Sequence, residues 1–127
     1  MSSFVFTKIV VDDLDAQASF YAAVFGQVVR HRFSGGEGLR AFEEIVMGSA
    51  AGDGPSLLLI HYADGATPHP GEAVLGFTVA DVEETACAAR AAGGTVRSEP
   101  RSMPAGGMKV AELADPEGHL LEIVQHL

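Results

Sequence analysis

The sequence predicts an α+β fold built from two βαβββ modules, whose concave mixed sheets surround a pocket and carry their helices on the outer faces. Two observations lead to this prediction. Each half shows a strand, a capped helix, a stop glycine and three further strands, in that order. In addition, a shift of 68 residues along the sequence superposes the strand end, the helix cap and the stop glycine of the first half on those of the second. Such a match is typical of an internal repeat. The shift carries Val11 onto Val79, Asp13 onto Asp81 and Gly26 onto Gly94.

The first module is predicted to span residues 1–62. It begins with a strand over 5–11, which is rich in β-branched and aromatic residues. Asp13 offers an N-cap to an amphipathic helix over 14–25, and Gly26 ends that helix. Three strands follow, separated by glycine-containing turns, at residues 27–33, 39–47 and 56–62.

A linker over residues 63–72, with two prolines and two glycines, leads into a second module over residues 73–127. Asp81 caps its helix, and Glu84 stands where a capping box requires it. The predicted strands of this module are 73–79, 95–99, 108–114 and 119–125, with a tight turn at Asp115-Pro116-Glu117-Gly118. With both modules sharing one core, the chain is interpreted as a single domain, 1–127.

The amino-acid composition indicates which kinds of ligand and which cellular compartment suit this protein. The formal charge is −9, with 17 acidic against 8 basic residues, which disfavours nucleic-acid binding and tolerates a cationic ligand. No apolar run is long enough to cross a membrane. The N-terminus shows no signal peptide, and the single cysteine, Cys87, cannot form an internal disulfide. These features favour a cytoplasmic protein.

The sequence carries three ordered motifs: Val11-Asp12-Asp13-Leu14 with Phe20-Tyr21 and Phe25-Gly26; Gly76-Phe77-Thr78-Val79 with Asp81-Val82; and Asp115 through Glu122. The third motif, D-P-x-G-x-x-x-E, is the most specific. Together the motifs resemble the vicinal oxygen chelate superfamily, which includes glyoxalases, bleomycin-resistance proteins and extradiol dioxygenases. The resemblance covers nearly the whole chain and implies the two-module fold.

The resemblance also implies where metal-dependent members hold their metal, at two opening-strand and two closing-strand positions. In this chain the opening-strand positions are Phe6 and Val74. The closing strands match at a shift of 63, which pairs Leu59 with Glu122. A single carboxylate does not hold a catalytic transition metal. We therefore expect that the usual metal site is lost, and we expect no metal and no cofactor.

An apolar pocket carrying a few polar groups is expected in place of the metal. Strand alternation places Lys8 with Phe6 and His61 with Leu59, while Gly76 repeats the position of Lys8. The predicted pocket residues are Phe6, Lys8, Leu59, His61, Val74, Gly76 and Glu122. The polar members have simpler explanations: Glu122 paired with Lys8, His61 solvated at a strand end, and Lys8 lying along the sheet.

Three functions remain open at this point, beside a purely structural or regulatory role. The first is a pocket that binds or sequesters an apolar or cationic small molecule without catalysis. The second is a lyase or isomerase with Glu122 as general base and Lys8 or His61 as electrophile. The third is a metal enzyme with rearranged ligands drawn from His61, Glu122 and Glu43-Glu44. A homodimer is expected, with the modules pairing within one chain or across the dimer. The sequence does not identify the ligand.

Overall fold

The computed structural model describes residues 2–65 and 69–127. Residue 1 of the N-terminus and residues 66–68 of the predicted linker lie outside the described part. The predicted α+β class with two βαβββ modules is confirmed. The elements are β1 (Phe6–Val10), α1 (Leu14–Phe25), β2 (Val28–Gly35), β3 (Phe42–Gly48), β4 (Ser56–Tyr62), β5 (Val74–Thr78), α2 (Val82–Ala91), β6 (Thr95–Ser102), β7 (Met108–Ala114) and β8 (Leu120–His126).

The two helices are short, with 12 residues in α1 and 10 in α2. Among the described residues, no helix has the length and apolar character needed to cross a bilayer. Both helices begin at the predicted caps. Asp13 Oδ1 accepts the N–H of Ala16 at 3.0 Å, and Asp81 Oδ1 accepts the N–H of Glu84 at 3.1 Å. Gly26 ends α1 in the left-handed conformation, with φ 65°.

The chain forms two compact units with the same sheet topology. The strand order is β1-β4-β3-β2 in the first unit and β5-β8-β7-β6 in the second. In each sheet the first pair is parallel and the other two pairs are antiparallel. The last turn of α1, Ala23–Phe25, belongs to the second unit. There the Phe25 ring stacks on Phe77, with centroids 3.9 Å apart.

The core of the first unit lies on one face of its sheet. Ile9, Ile45 and Leu59 are in register across β1, β3 and β4, and all three are buried. Arg32 belongs to the same row and forms an ion pair with Asp15 of α1, so this face is the one that α1 covers. The opposite face carries the exposed side chains of β1, Phe6 and Lys8. In each sheet, the face that the helix of its unit does not cover is called the open face.

The second unit follows the same plan. Lys109 of β7 forms an ion pair with Glu83 of α2 at 3.0 Å, which places α2 over the face that Lys109 shares with Ala111 and Leu113. These two side chains are fully buried, as is Ile123 on β8. The other face of this sheet is open.

Candidate functional site

The register of the parallel strands defines equivalent positions in the two sheets. Lys8 pairs with Leu58 in the first sheet, and Gly76 pairs with Glu122 in the second. Lys8 and Gly76 are related by the 68-residue shift, so Leu58 is the equivalent of Glu122. The closing strands therefore match at a shift of 64 residues. The predicted pairing of Leu59 with Glu122 is wrong by one residue.

A one-residue slip moves a side chain to the other face of a sheet. Leu59 lies in the buried row with Ile9, on the face that α1 covers, and its side chain is 0% exposed. His61 lies two residues further along β4 on that same face. Its Nδ1 is 2.9 Å from the carbonyl oxygen of Val11. Leu59 and His61 therefore do not share a face with Phe6 and Lys8, contrary to the prediction.

The corrected positions do not fit a metal. Phe6, Leu58, Val74 and Glu122 occupy the positions at which the resemblance implies ligands, and only Glu122 offers a donor atom. Within 2–65 and 69–127, no group of three or more His, Cys, Asp or Glu side chains is placed to hold a metal ion. The side chains at these four positions therefore do not supply the donor atoms that the usual metal site requires.

Lys8 has a partner that the sequence did not predict. Its Nζ lies 3.0 Å from Oε1 of Glu44, a carboxylate whose side chain is only 3% exposed. Glu44 lies on β3 in register with Ile60 of β4, so the ion pair reaches across β4 on the open face. The ammonium also lies 5.8 Å from the centroid of the Phe6 ring. Lys8 thus compensates a buried charge within its own sheet.

The D-P-x-G motif fixes the position of Glu122. Asp115 Oδ1 accepts the backbone N–H groups of Glu117 and His119, both at 3.0 Å. The N–H of Asp115 in turn donates to the carbonyl of His119 at 3.0 Å, which closes the β7–β8 hairpin. From this closure the antiparallel register places Glu112 directly opposite Glu122. Two carboxylates therefore stand side by side on the open face of the second sheet.

A cavity of about 210 Å³ lies at this carboxylate pair. Val74 and Leu120 give it apolar lining, and Arg97 lines it as well. Glu112 is held by Arg101, whose guanidinium lies 3.3 Å from its Oε1. Among the described residues, the carboxylate of Glu122 forms no hydrogen bond or ion pair. The cavity thus offers one paired and one unpaired carboxylate at an apolar surface.

Comparison with known proteins identifies the family. The family model described as "Glyoxalase/Bleomycin resistance protein/Dioxygenase superfamily" matches residues 3–123. The chain belongs to this superfamily. A comparison with curated proteins gave no match.

Solved structures of this superfamily share the fold. An E144Q mutant of glyoxalase I from Zea mays is 22% identical with a TM-score of 0.81, over 95% of this chain and 46% of the maize chain. The present chain thus spans about half the length of that relative. The trypanothione-dependent glyoxalase I of Leishmania major is 21% identical, with a TM-score of 0.76 and coverage of 98% and 87%. A glyoxalase family protein from Bacillus cereus is 18% identical, with a TM-score of 0.83 and coverage of 100% and 95%.

In this member of the glyoxalase/bleomycin resistance protein/dioxygenase superfamily, the predicted site residues fall into three places. Val74, Gly76 and Glu122 share the open face of the second sheet. Phe6 and Lys8 share the open face of the first. Leu59 and His61 lie on the helix-covered face of the first sheet.

Glu112 was missed by the sequence analysis, although a signal for it was present. Residues equally distant from a tight turn oppose each other in a hairpin, and Glu112 and Glu122 lie three residues before Asp115 and three residues after His119, the two residues that close the turn.

Proposed function

We propose that this superfamily member binds a small organic molecule through a cationic group, and sequesters it without the usual metal. The observation that carries this proposal is the Glu122 carboxylate, which faces Glu112 at an apolar cavity and has no ion-pair partner among the described residues. Like charges placed directly opposite in a sheet are unfavourable, and a bound cation relieves their repulsion. The size of the cavity suits a head group and not a whole drug-sized molecule.

The surroundings of Glu122 leave room for such a group. Its strand neighbour is Gly76, and a Cβ built there would meet no atom within 4 Å. The overall charge of −9 adds a long-range attraction for cations. Lys8, the equivalent of Gly76 in the first sheet, is engaged by Glu44 within its own unit.

Arg97 supports a second contact with the ligand. It lines the same cavity and has no ion pair among the described residues. A guanidinium binds carboxylate and carbonyl oxygens through a planar fork of N–H donors. A molecule that carries a cationic nitrogen and an oxygen acceptor would satisfy both Glu122 and Arg97.

Titration with three aromatic probes of similar size tests this function. We expect saturable binding of phenyltrimethylammonium and much weaker binding of benzyl alcohol and benzoate. Glu122→Gln should weaken the cation about tenfold, since it removes a charged partner at an apolar surface. Glu99→Gln removes a carboxylate of the same unit that lies outside the cavity and is paired with Arg90, and it should leave the affinity unchanged. Equal affinity for all three probes, or an E122Q protein that binds like the wild type, would contradict the proposal.

A lyase or isomerase with Glu122 as general base is the second candidate. It is supported by the same unpaired carboxylate, which lies at an apolar cavity where a carbonyl compound could be held. The test is exchange of carbon-bound hydrogen of hydroxyacetone in D₂O. An exchange rate above that of buffer, lost in E122Q, would favour this candidate over sequestration.

We also propose that residues 1–127 act as one cytoplasmic domain, that its modules arose by duplication, and that it forms a homodimer. The single free cysteine, Cys87, supports a reducing compartment. The matched strand order and parallel first pairs support the duplication. Exposed apolar side chains on the opening strands, Phe6 and Val74, support self-association. Sedimentation at micromolar concentration should give twice the chain mass, and a monomer would exclude the dimer.

A further inference from the structure

A cleft of about 500 Å³ lies in the first unit and shares no lining residue with the cavity at the carboxylate pair. Its polar lining includes Ser34, Glu43 and His61. These three residues lie in register on adjacent strands, with Ser34 opposite Glu43 and Glu43 opposite His61. Neighbours in such a row have their Cβ atoms about 5 Å apart on the same face of the sheet. The cleft therefore places a hydroxyl, a carboxylate and an imidazole in one line.

The hydrogen bond of His61 decides which role its Nδ1 atom takes. Nδ1 lies 2.9 Å from the carbonyl oxygen of Val11, and a carbonyl oxygen only accepts. Nδ1 must therefore carry the hydrogen and donate it. In the neutral imidazole this leaves Nε2 as an acceptor. Because His61 lines the cleft, this acceptor is available to a bound molecule.

The charge of Glu43 is only partly compensated by its arginine partner. Its Oε2 lies 3.2 Å from the Arg32 guanidinium, which also binds Asp15. Two carboxylates thus share one guanidinium, and the hydrogen bond with Asp15, followed by that with Glu43, raises the pKa of Arg32 above its usual value. With neutral His61 the cluster carries one negative charge, which opposes an anionic ligand. Oε1 of Glu43 has no partner among the described residues.

We propose that the cleft lined by Ser34, Glu43 and His61 binds a primary ammonium group attached to a small apolar or aromatic body. A primary ammonium carries three N–H donors, and this row presents three acceptors: the Ser34 hydroxyl, Oε1 of Glu43 and Nε2 of His61. Ala41, Phe42 and Ala63 add apolar lining for the body of the ligand. This site is separate from the one invoked for the proposed function and does not depend on it.

Titration with 2-phenylethylammonium, followed by nitrogen NMR of the histidine side chains, tests the site. We expect saturable binding that shifts the Nε2 resonance of His61 and leaves that of exposed His126 unmoved. The alcohol 2-phenylethanol, with one donor and no charge, and phenyltrimethylammonium, with no N–H, should bind this cleft at least tenfold more weakly. Titrations in the E122Q background exclude binding at the other cavity.

Two substitutions of His61 distinguish the role of Nε2 as ligand acceptor from the role of Nδ1 in the hydrogen bond with the Val11 carbonyl. The amide nitrogen of His61→Asn mimics Nδ1 and can still donate to Val11, but the variant has no equivalent of Nε2, so the amine should bind about tenfold more weakly. The amide of His61→Gln reaches the position of Nε2, and its oxygen should restore part of the affinity. Glu43→Gln should weaken binding to a similar degree, while Glu99→Gln should not. Undiminished binding in both H61N and E43Q, or loss of binding only in E122Q, would overturn the proposal.

Discussion

Lys8 and Glu44 form an ion pair of 3.0 Å that spans the intervening strand β4 on the open face of the first sheet. The carboxylate is almost completely buried, whereas the lysine side chain is 38% exposed. A buried carboxylate that loses its cation is strongly unfavourable. We therefore expect that loss of the Lys8 charge lowers the free energy of unfolding more than loss of a lysine whose carboxylate partner is exposed.

Lys8→Met should destabilise the fold by about 1–3 kcal/mol, because it leaves Glu44 buried without a charge partner. Urea unfolding at neutral pH gives the free energy. The double variant K8M/E44M should recover most of the loss, since an apolar pair replaces both charges. Lys109→Met is the matched control: Lys109 is similarly exposed, but its partner Glu83 is 55% exposed. Its cost should be below about 0.5 kcal/mol. Equal losses for K8M and K109M would contradict this reading.

Asp115→Ala should destabilise the protein by about 2–4 kcal/mol, because the buried carboxylate accepts two backbone N–H groups and contacts the His119 ring. Asp115→Asn keeps an oxygen at the same place and should lose about half as much. Thermal unfolding provides the measurement. Asp53→Ala, in an exposed loop, is the control and should cost less than about 1 kcal/mol. An Asp115→Ala protein as stable as this control would show that the turn does not hold the hairpin.

Gly76→Lys should abolish cation binding at the carboxylate pair. Gly76 is the register partner of Glu122, and a Cβ added there would meet no atom within 4 Å. Its ammonium would neutralise Glu122, so phenyltrimethylammonium should bind at least tenfold more weakly. Gly76→Ala tests the effect of bulk alone and should keep the wild-type affinity. If both variants bind as wild type, the probe is held elsewhere.

Elemental analysis of protein purified without chelator or affinity tag should find no stoichiometric zinc, nickel, iron or manganese. The reason is the donor chemistry, since Glu122 alone among the four implied positions can bind a cation. One tightly held metal ion per wild-type chain would overturn this expectation.

The helix boundaries could be predicted because short-range chemistry decides them. Asp13 and Asp81 cap their helices through a side-chain oxygen, and Gly26 ends α1 in the left-handed conformation because it has no Cβ. The capping box was only half right. Asp81 accepts the N–H of Glu84, but among the described residues the Glu84 carboxylate makes no bond back. Strand β6 runs past Pro100, where the sequence predicted an end, because β6 is an edge strand that tolerates proline.

The faces of β4 could not be read from the sequence. Its central residues, Leu57–Ile60, are all buried and all aliphatic, so no alternation marks which side chains point towards α1. The match to the closing strand β8 was therefore free to slip by one residue. The sequence match therefore assigned Leu59 to the position that Leu58 occupies, and it assigned His61, two residues further on, to the wrong face of the sheet. The Lys8–Glu44 pair escaped prediction because it depends on the register of three strands at once.

The contrast between Lys8 and Gly76 means that the first sheet carries a cation on its own backbone, whereas the second sheet, under the proposed function, would take its cation from the ligand. The lysine side chain is a butylammonium ion attached to the backbone, and it shows which head group an open face of this architecture can hold beside a carboxylate. Free butylammonium is accordingly the natural starting fragment for building ligands of the second sheet. Lengthening it towards Arg97 with an oxygen acceptor is the first elaboration to make.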